Sequence, residues 1–178
     1  MAIEEGGRGA PVVALLVVCT GNICRSPTAE GALRHFAKAR GLADRVRIAS
    51  AGTHNYHVGE APDPRTVEHA SKRGYDLSTQ RATQVAERHF EEFDYILAMD
   101  RGHLRVLKQM QPQGSRAKLG LFLEASGQWK DEDVPDPYYG GDAGFEQVLD
   151  MVEEAGQRWL DRIEAELGPA SFSLPRPR

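Results

Sequence analysis

Residues 18–30 read VCTGNICRSPTAE and hold both cysteines of the chain, Cys19 and Cys24, together with Arg25. Five residues separate Cys19 from Arg25, and Ser26 follows directly. This spacing could bind a phosphate and attack it. Consecutive backbone N–H groups in a tight loop form a nest for an anion, and a following helix adds its N-terminal dipole. Gly21 takes positive φ without cost, and Asn22 tolerates the left-handed region better than most residues. Arg25 can give two parallel N–H bonds to phosphate oxygens, which a lysine cannot. A thiol in such electropositive surroundings is favoured as the thiolate, the form in which cysteine is a nucleophile. Ser26 can donate a hydrogen bond to that sulfur. The competing reading makes Cys19 and Cys24 small buried hydrophobes, as free cysteines often are. A nucleotide P-loop is excluded, because the stretch lacks the Gly-Lys-Ser/Thr ending that holds phosphates and magnesium. The six histidines, His35, His54, His57, His69, His89 and His103, have no metal-ligand spacing with the cysteines. They are expected on the surface or on helices. Neither a metal nor another cofactor is implied.

Such a loop needs a strand to deliver it and a helix to close it. The uniformly apolar VVALLVV before it predicts a strand over 12–18, buried on both faces. A helix is expected over 26–40, with Ser26 as N-cap, Pro27 as first helical residue and Gly41 past its end. Strands follow at 45–53, 94–99 and 117–123. Helices follow at 62–74, 83–93 and about 101–111, and a long amphipathic helix at 144–167. Alternating β and α predicts an α/β fold, a parallel sheet with helices on both faces. Ligands of such sheets sit beyond the carboxyl ends of the strands, where strand order switches. The loop carrying DVPDPYYGGD, after the fourth strand, could meet the cysteine loop at one rim.

The chain has 178 residues, 40% of them apolar and 27% charged, and shows no internal repeat. That suits a single domain over 11–167. Residues 1–10 and the proline-containing tail 168–178 are expected to fray. The net charge of −4 argues against nucleic acid as partner. No apolar run approaches the roughly 20 residues that span a bilayer, so no membrane partner is expected. Two cysteines cannot make a secreted disulfide framework. They fit a reducing compartment, and the cytoplasm is expected.

On these residues, VCTGNICRSPTAE resembles the low-molecular-weight protein tyrosine phosphatases, and PDPYYGGDAGFE (135–146) is similar to that family's late Asp-Pro-Tyr-Tyr segment. SAGTHNYHVGEAPD (50–63) and FDYILAMD (93–100) are similar too, so the resemblance covers about 12–167. It implies a flavodoxin-like three-layer fold with a four-stranded parallel sheet and the phosphate loop after strand one. It implies Cys19 as nucleophile, Arg25 as the oxyanion clamp and Asp136 as general acid, with Pro137 fixing the loop just after it. Thr20, Gly21, Asn22, Ile23, Cys24 and Ser26 would form or brace the loop, helped by Ser50. Tyr56, Tyr138 and Tyr139 would wall the cleft. The implied substrates are phosphotyrosine-containing proteins or small aryl phosphates, handled by a monomer or weakly self-associating chain.

One departure stands out. Many relatives carry a His-x-Ala-Arg stretch whose histidine braces the loop asparagine, and QRAT (80–83) stands here. Gln80 is expected to donate a weaker brace. A thiol-dependent arsenate reductase would need cysteines beyond the loop, and none follows Cys24. A phosphoarginine phosphatase would favour threonine where Ile23 stands. A non-catalytic phosphate-binding or redox-sensing module, with a reversible Cys19–Cys24 disulfide, would not need Asp136.

Overall fold

A computed structural model describes residues 12–169. It contains strands β1 (Val13–Cys19), β2 (Val46–Gly52), β3 (Tyr95–Ala98) and β4 (Lys118–Leu121). The helices are α1 (Arg25–Ala39), α2 (Pro64–Lys72), α3 (His89–Glu92), α4 (Arg101–Met110) and α5 (Asp142–Leu167). All strand pairs are parallel, in the order β2-β1-β3-β4. β1 therefore lies between the strand that follows it on one side and β3 on the other. Its carboxyl end is the switch point of the sheet, where α/β proteins place ligands.

All seven residues of β1 are buried, so the apolar run needs both faces covered. Alternate residues feed two cores. Leu15, Val17 and Cys19 pack with Ala29 and Leu33 of α1 and with Val148, Val152 and Trp159 of α5. Ala14, Leu16 and Val18 pack with Phe90 of α3, Ile96 of β3 and Leu107 of α4. The expected three-layer α/β architecture with four parallel strands is the observed one.

Four local expectations are corrected. Ser26 is not the N-cap of α1: the helix begins at Arg25, and Cys24 occupies the cap without a side-chain bond. The Ser26 hydroxyl is spent inside the loop instead. The helix expected over 83–93 shrinks to His89–Glu92. Residues 83–85 are drawn out as an extended segment against the end of β2, where Gly52 N–H donates to Thr83 O and Val85 N–H to Gly52 O. The fourth strand stops at Leu121 and tightens into a 3-10 turn over Phe122–Ala125, whose Phe122 carbonyl accepts from Trp159 Nε1 at 2.6 Å. α5 starts two residues early, at Asp142. At its other end Gly168 adopts φ 73°, and its N–H closes on Glu164 O. The N-terminal extension 1–10 and tail residues 170–178 lie outside the described residues.

Candidate active site

The turn from β1 into α1 is held by one side chain. Asn22 has φ 58°, alone at positive φ among the described non-glycine residues. Its Oδ1 accepts from Thr83 N–H at 2.9 Å, so its Nδ2 has both protons to give. One goes to Ser26 Oγ at 2.8 Å and the other to Ser50 Oγ at 2.9 Å. Ser50 donates in turn to Glu30 Oε1 at 2.6 Å, and Arg34 Nε holds the other oxygen of Glu30. Because Ser26 accepts from Asn22, its own proton can go to Cys19 Sγ, 3.0 Å away, with Ala51 O a more distant acceptor at 3.4 Å. β2 can approach this loop because it ends in glycine. A Cβ on Gly52 would sit 2.6 Å from Thr20 O and 3.1 Å from Asn22 N.

Arg25 is 5% exposed and fully engaged on one side. Nη1 donates to Asp100 Oδ2 at 2.9 Å and to Val134 O at 3.0 Å, and Nη2 to Thr20 Oγ1 at 3.3 Å. Asp100 caps α4 through His103 N–H at 2.9 Å, so the end of β3 anchors the guanidinium. Above the loop opens a cleft of about 220 Å³. Cys19, Thr20, Gly21, Ile23, Cys24 and Arg25 form its floor. Tyr56 and His57 make one wall, and Asp136, Tyr138 and Tyr139 the other. Asp136 accepts from Tyr138 N–H at 3.0 Å and lies 3.9 Å from Arg25 Nη2 across the cleft. Tyr56 stacks on His54, and Tyr138 meets Tyr139 edge to face with centroids 4.9 Å apart.

Residues 14–168 match the sequence family described as low molecular weight phosphotyrosine protein phosphatase. The chain belongs to this family. The low molecular weight phosphotyrosine protein phosphatase of Saccharomyces cerevisiae is 36% identical over 169 residues, which cover 91% of this chain and 99% of the relative. Among solved structures, a protein tyrosine phosphatase from Entamoeba histolytica with Hepes in its active site superposes with a TM-score of 0.83 at 35% identity. It covers 86% of this chain and 98% of its own. A drosophila arginine phosphatase superposes with a TM-score of 0.79 at 31% identity, covering 84% and 97%.

In this phosphatase neither cysteine is in a disulfide, and both are buried on the cleft floor. Burial pushes the Cys24 thiol up to about 12, which keeps it protonated at neutral pH. Every residue expected at the site is brought to the loop, its support or the cleft walls. The expected brace is not: Gln80 Nε2 donates to Pro27 O at 3.1 Å, and the amide of Thr83 takes its place on Asn22. The histidines lie on helices or at the surface as expected, but three of the helical ones face inward. His69, His89 and His103 are buried, and His57 lines the cleft. Asp100 and His103, which no local motif marks as site residues, both touch Arg25. The signal for them was position, since both follow the carboxyl end of β3, at the same rim as the loop. The His103 Nε2 atom lies 2.7 Å from Thr20 Oγ1. Burial, then the charge of Arg25, holds the His103 imidazole down at about 4. Burial opposes ionisation of Asp100, but the His103 amide, the His103 ring and Arg25 together keep its carboxyl below the usual carboxylate range. Among the described residues no helix is long and apolar enough to cross a membrane.

Proposed function

We propose that this phosphatase hydrolyses phosphotyrosine and aryl phosphate monoesters in two steps through a cysteinyl-phosphate. The observation that carries the reading is convergence: Cys19, Arg25 and Asp136 border one tyrosine-walled cleft. In the first step the Cys19 thiolate forms an S–P bond as the P–O bond to the aryl group breaks. The Asp136 carboxyl gives its proton to the departing oxygen, and Asp136 is left as carboxylate. The free N–H groups of Arg25 and the loop amides bind the three equatorial oxygens as charge spreads over them. In the second step Asp136 takes a proton from water, the water oxygen bonds to phosphorus, and the S–P bond breaks. The Ser26 hydroxyl, free to donate to Cys19 Sγ, stabilises the departing thiolate. Asn22, Ser50 and Glu30 hold that hydroxyl in line.

The aromatic walls favour a flat phenyl ring, and the apolar, β-branched Ile23 on the floor favours it over a guanidinium. Likeness to an arginine phosphatase makes phosphoarginine the comparison substrate. The test is turnover of p-nitrophenyl phosphate and of phosphotyrosine, phosphoserine and phosphoarginine peptides. Cys19→Ser is expected to abolish turnover. Asp136→Asn is expected to slow the phosphotyrosine peptide about 10²- to 10⁴-fold, and p-nitrophenyl phosphate, with its better leaving group, much less. Unchanged phosphotyrosine turnover in Asp136→Asn overturns the acid assignment, and preferred turnover of phosphoarginine overturns the substrate. Residues 11–167 are read as one catalytic domain, a monomer or weakly self-associating, which light scattering over a concentration series measures. A free nucleophilic thiol suits a reducing compartment, and the phosphatase is assigned to the cytoplasm.

A further inference from the structure

His103 stands 83 residues from Thr20 in sequence and in contact with it in space. Around Arg25 the contacts close into a ring. Asp100 Oδ2 receives Arg25 Nη1 at 2.9 Å. The other oxygen of Asp100 lies 3.1 Å from His103 Nδ1, at an angle too poor for a hydrogen bond. His103 Nε2 lies 2.7 Å from Thr20 Oγ1, and Thr20 Oγ1 lies 3.3 Å from Arg25 Nη2. A longer contact of 3.5 Å joins Nη2 to Nε2 directly.

The protons of this ring can be placed by elimination. A guanidinium only donates, so Thr20 Oγ1 accepts from Arg25. Its hydroxyl proton is then free for Nε2. The hydroxyl could accept a second proton, but Arg25 Nη2 also faces Nε2, at 3.5 Å, and a guanidinium only donates, so a bare Nε2 suits both neighbours. The ring proton of a neutral imidazole then sits on Nδ1, facing the Asp100 carboxylate, where the charge favours it. The charged and titratable groups that face His103 are Arg25 of α1, Asp100 ahead of α4, Asp136 of the late loop and His54 after β2. The side chain is buried, and that burial with the Arg25 charge keeps the ring neutral well below neutral pH.

We infer that His103 is a positioning residue of the phosphatase, whose bare Nε2 closes a ring with Thr20 and Asp100 that aims the guanidinium of Arg25 into the cleft. This rests on the reading of Arg25 as the clamp on phosphate. Asp100 and Val134 fix only Nη1. Thr20 and His103 fix Nη2, which is the nitrogen facing Asp136 across the site. A proton added at Nε2 turns an acceptor into a donor. It breaks the bond from Thr20 and sets a second positive charge against Arg25. His103 also ties the second residue of the loop to the N-terminal turn of α4.

The test joins ring spectroscopy to variants. With 15N-labelled histidine, NMR between pH 5 and 7 is expected to find the His103 Nε2 bare and Nδ1 protonated. His103→Leu is expected to lower kcat/KM for p-nitrophenyl phosphate about ten-fold or more, because a donor to the transition state is displaced rather than deleted. It is expected to weaken inhibition by inorganic phosphate in parallel. His103→Gln, whose amide oxygen can stand at the ε position as acceptor, is expected to restore most of both. Thr20→Val is expected to match His103→Leu, and the double variant to lose little more. Thermal unfolding of each variant separates misplacement from misfolding. A protonated Nε2 at pH 6 overturns the inference. So does a folded His103→Leu with the wild-type rate and phosphate inhibition, or a His103→Gln no better than Leu at equal stability. A wild type inactive on every phosphoester sinks the reading of Arg25, while the ring nitrogen spectrum still reports on the ring.

Discussion

Cys19 and Cys24 are five residues apart in one loop and differ in what surrounds the sulfur. Cys19 Sγ lies 3.0 Å from a serine hydroxyl that can donate to it, at the floor of an open cleft. Cys24, at the start of α1, borders the same cleft, but burial keeps it a thiol, its ionisation pushed up to about 12. Only a thiolate alkylates readily. Iodoacetate at pH 7 is therefore expected to place one carboxymethyl group on Cys19 and none on Cys24, and inorganic phosphate is expected to slow it. Peptide mass spectrometry reads both results, and modification of Cys24 at a rate similar to that of Cys19 refutes this account. The sequence carried Cys19 and Arg25 because loop, nucleophile and clamp sit within seven consecutive residues, where spacing alone states the chemistry. Asp136 needed a resemblance, since it lies among other acidic residues that a solvated loop would equally hold. Asp100 and His103 could not be read locally. Their role exists only once β3 is laid beside β1, which sets Ala98 against Val18 and the next residues against the loop.

At the scale of elements, the loop is positioned by the close approach of β2. Gly52 pairs with Cys19 in register, and its missing side chain leaves room for the carbonyl of Thr20 and the amide of Asn22. A methyl group there meets backbone, which cannot swing aside as a side chain can. Gly52→Ala is expected to push the loop off its geometry. The expected costs are about 1–3 kcal/mol of stability, as for overpacking elsewhere, and at least about ten-fold in kcat. Urea unfolding and steady-state kinetics check the two costs, and an alanine variant with wild-type rates denies the contact its importance. The same crowding explains why the helix expected over 83–93 is cut short. The sequence there suits a helix, but Thr83 and Val85 are claimed by Gly52, and Thr83 must also present its N–H to Asn22. A tertiary demand for those backbone groups outweighs a weak local preference. Ser26 leaves the cap position for a related reason. Serine before proline is a good cap signal, but its hydroxyl has a better use beside the nucleophile than on the first turn of α1.

For the whole molecule, the titratable groups buried in the fold set how it answers acid. His103 is protonated at about 4 in the folded chain against an ordinary value of 6.5, chiefly through burial and then through Arg25. The unfolded chain therefore binds this proton more readily throughout the interval between those values. Stability rises with pH wherever the unfolded state holds more protons, so the fold loses ground as pH drops from about 6.5 toward about 4. Between pH 7 and 5 the loss from this one ring comes to about 2 kcal/mol. His89, buried and lowered in the same sense, adds to the slope. Asp100 acts in another window. Its folded value lies below 3.8, so its contribution is present above that value and fades only as pH falls further. The expected profile is a stability that declines first through the histidines and then, below about pH 4, through the carboxylates. Urea unfolding at pH 7, 6 and 5 measures it. His103→Gln removes the titrating ring from the Arg25 site, so its stability is expected to change between pH 7 and 5 by about 2 kcal/mol less than that of the wild type. Equal slopes for the two proteins would mean that His103 ionises no differently in the folded chain than in the unfolded one.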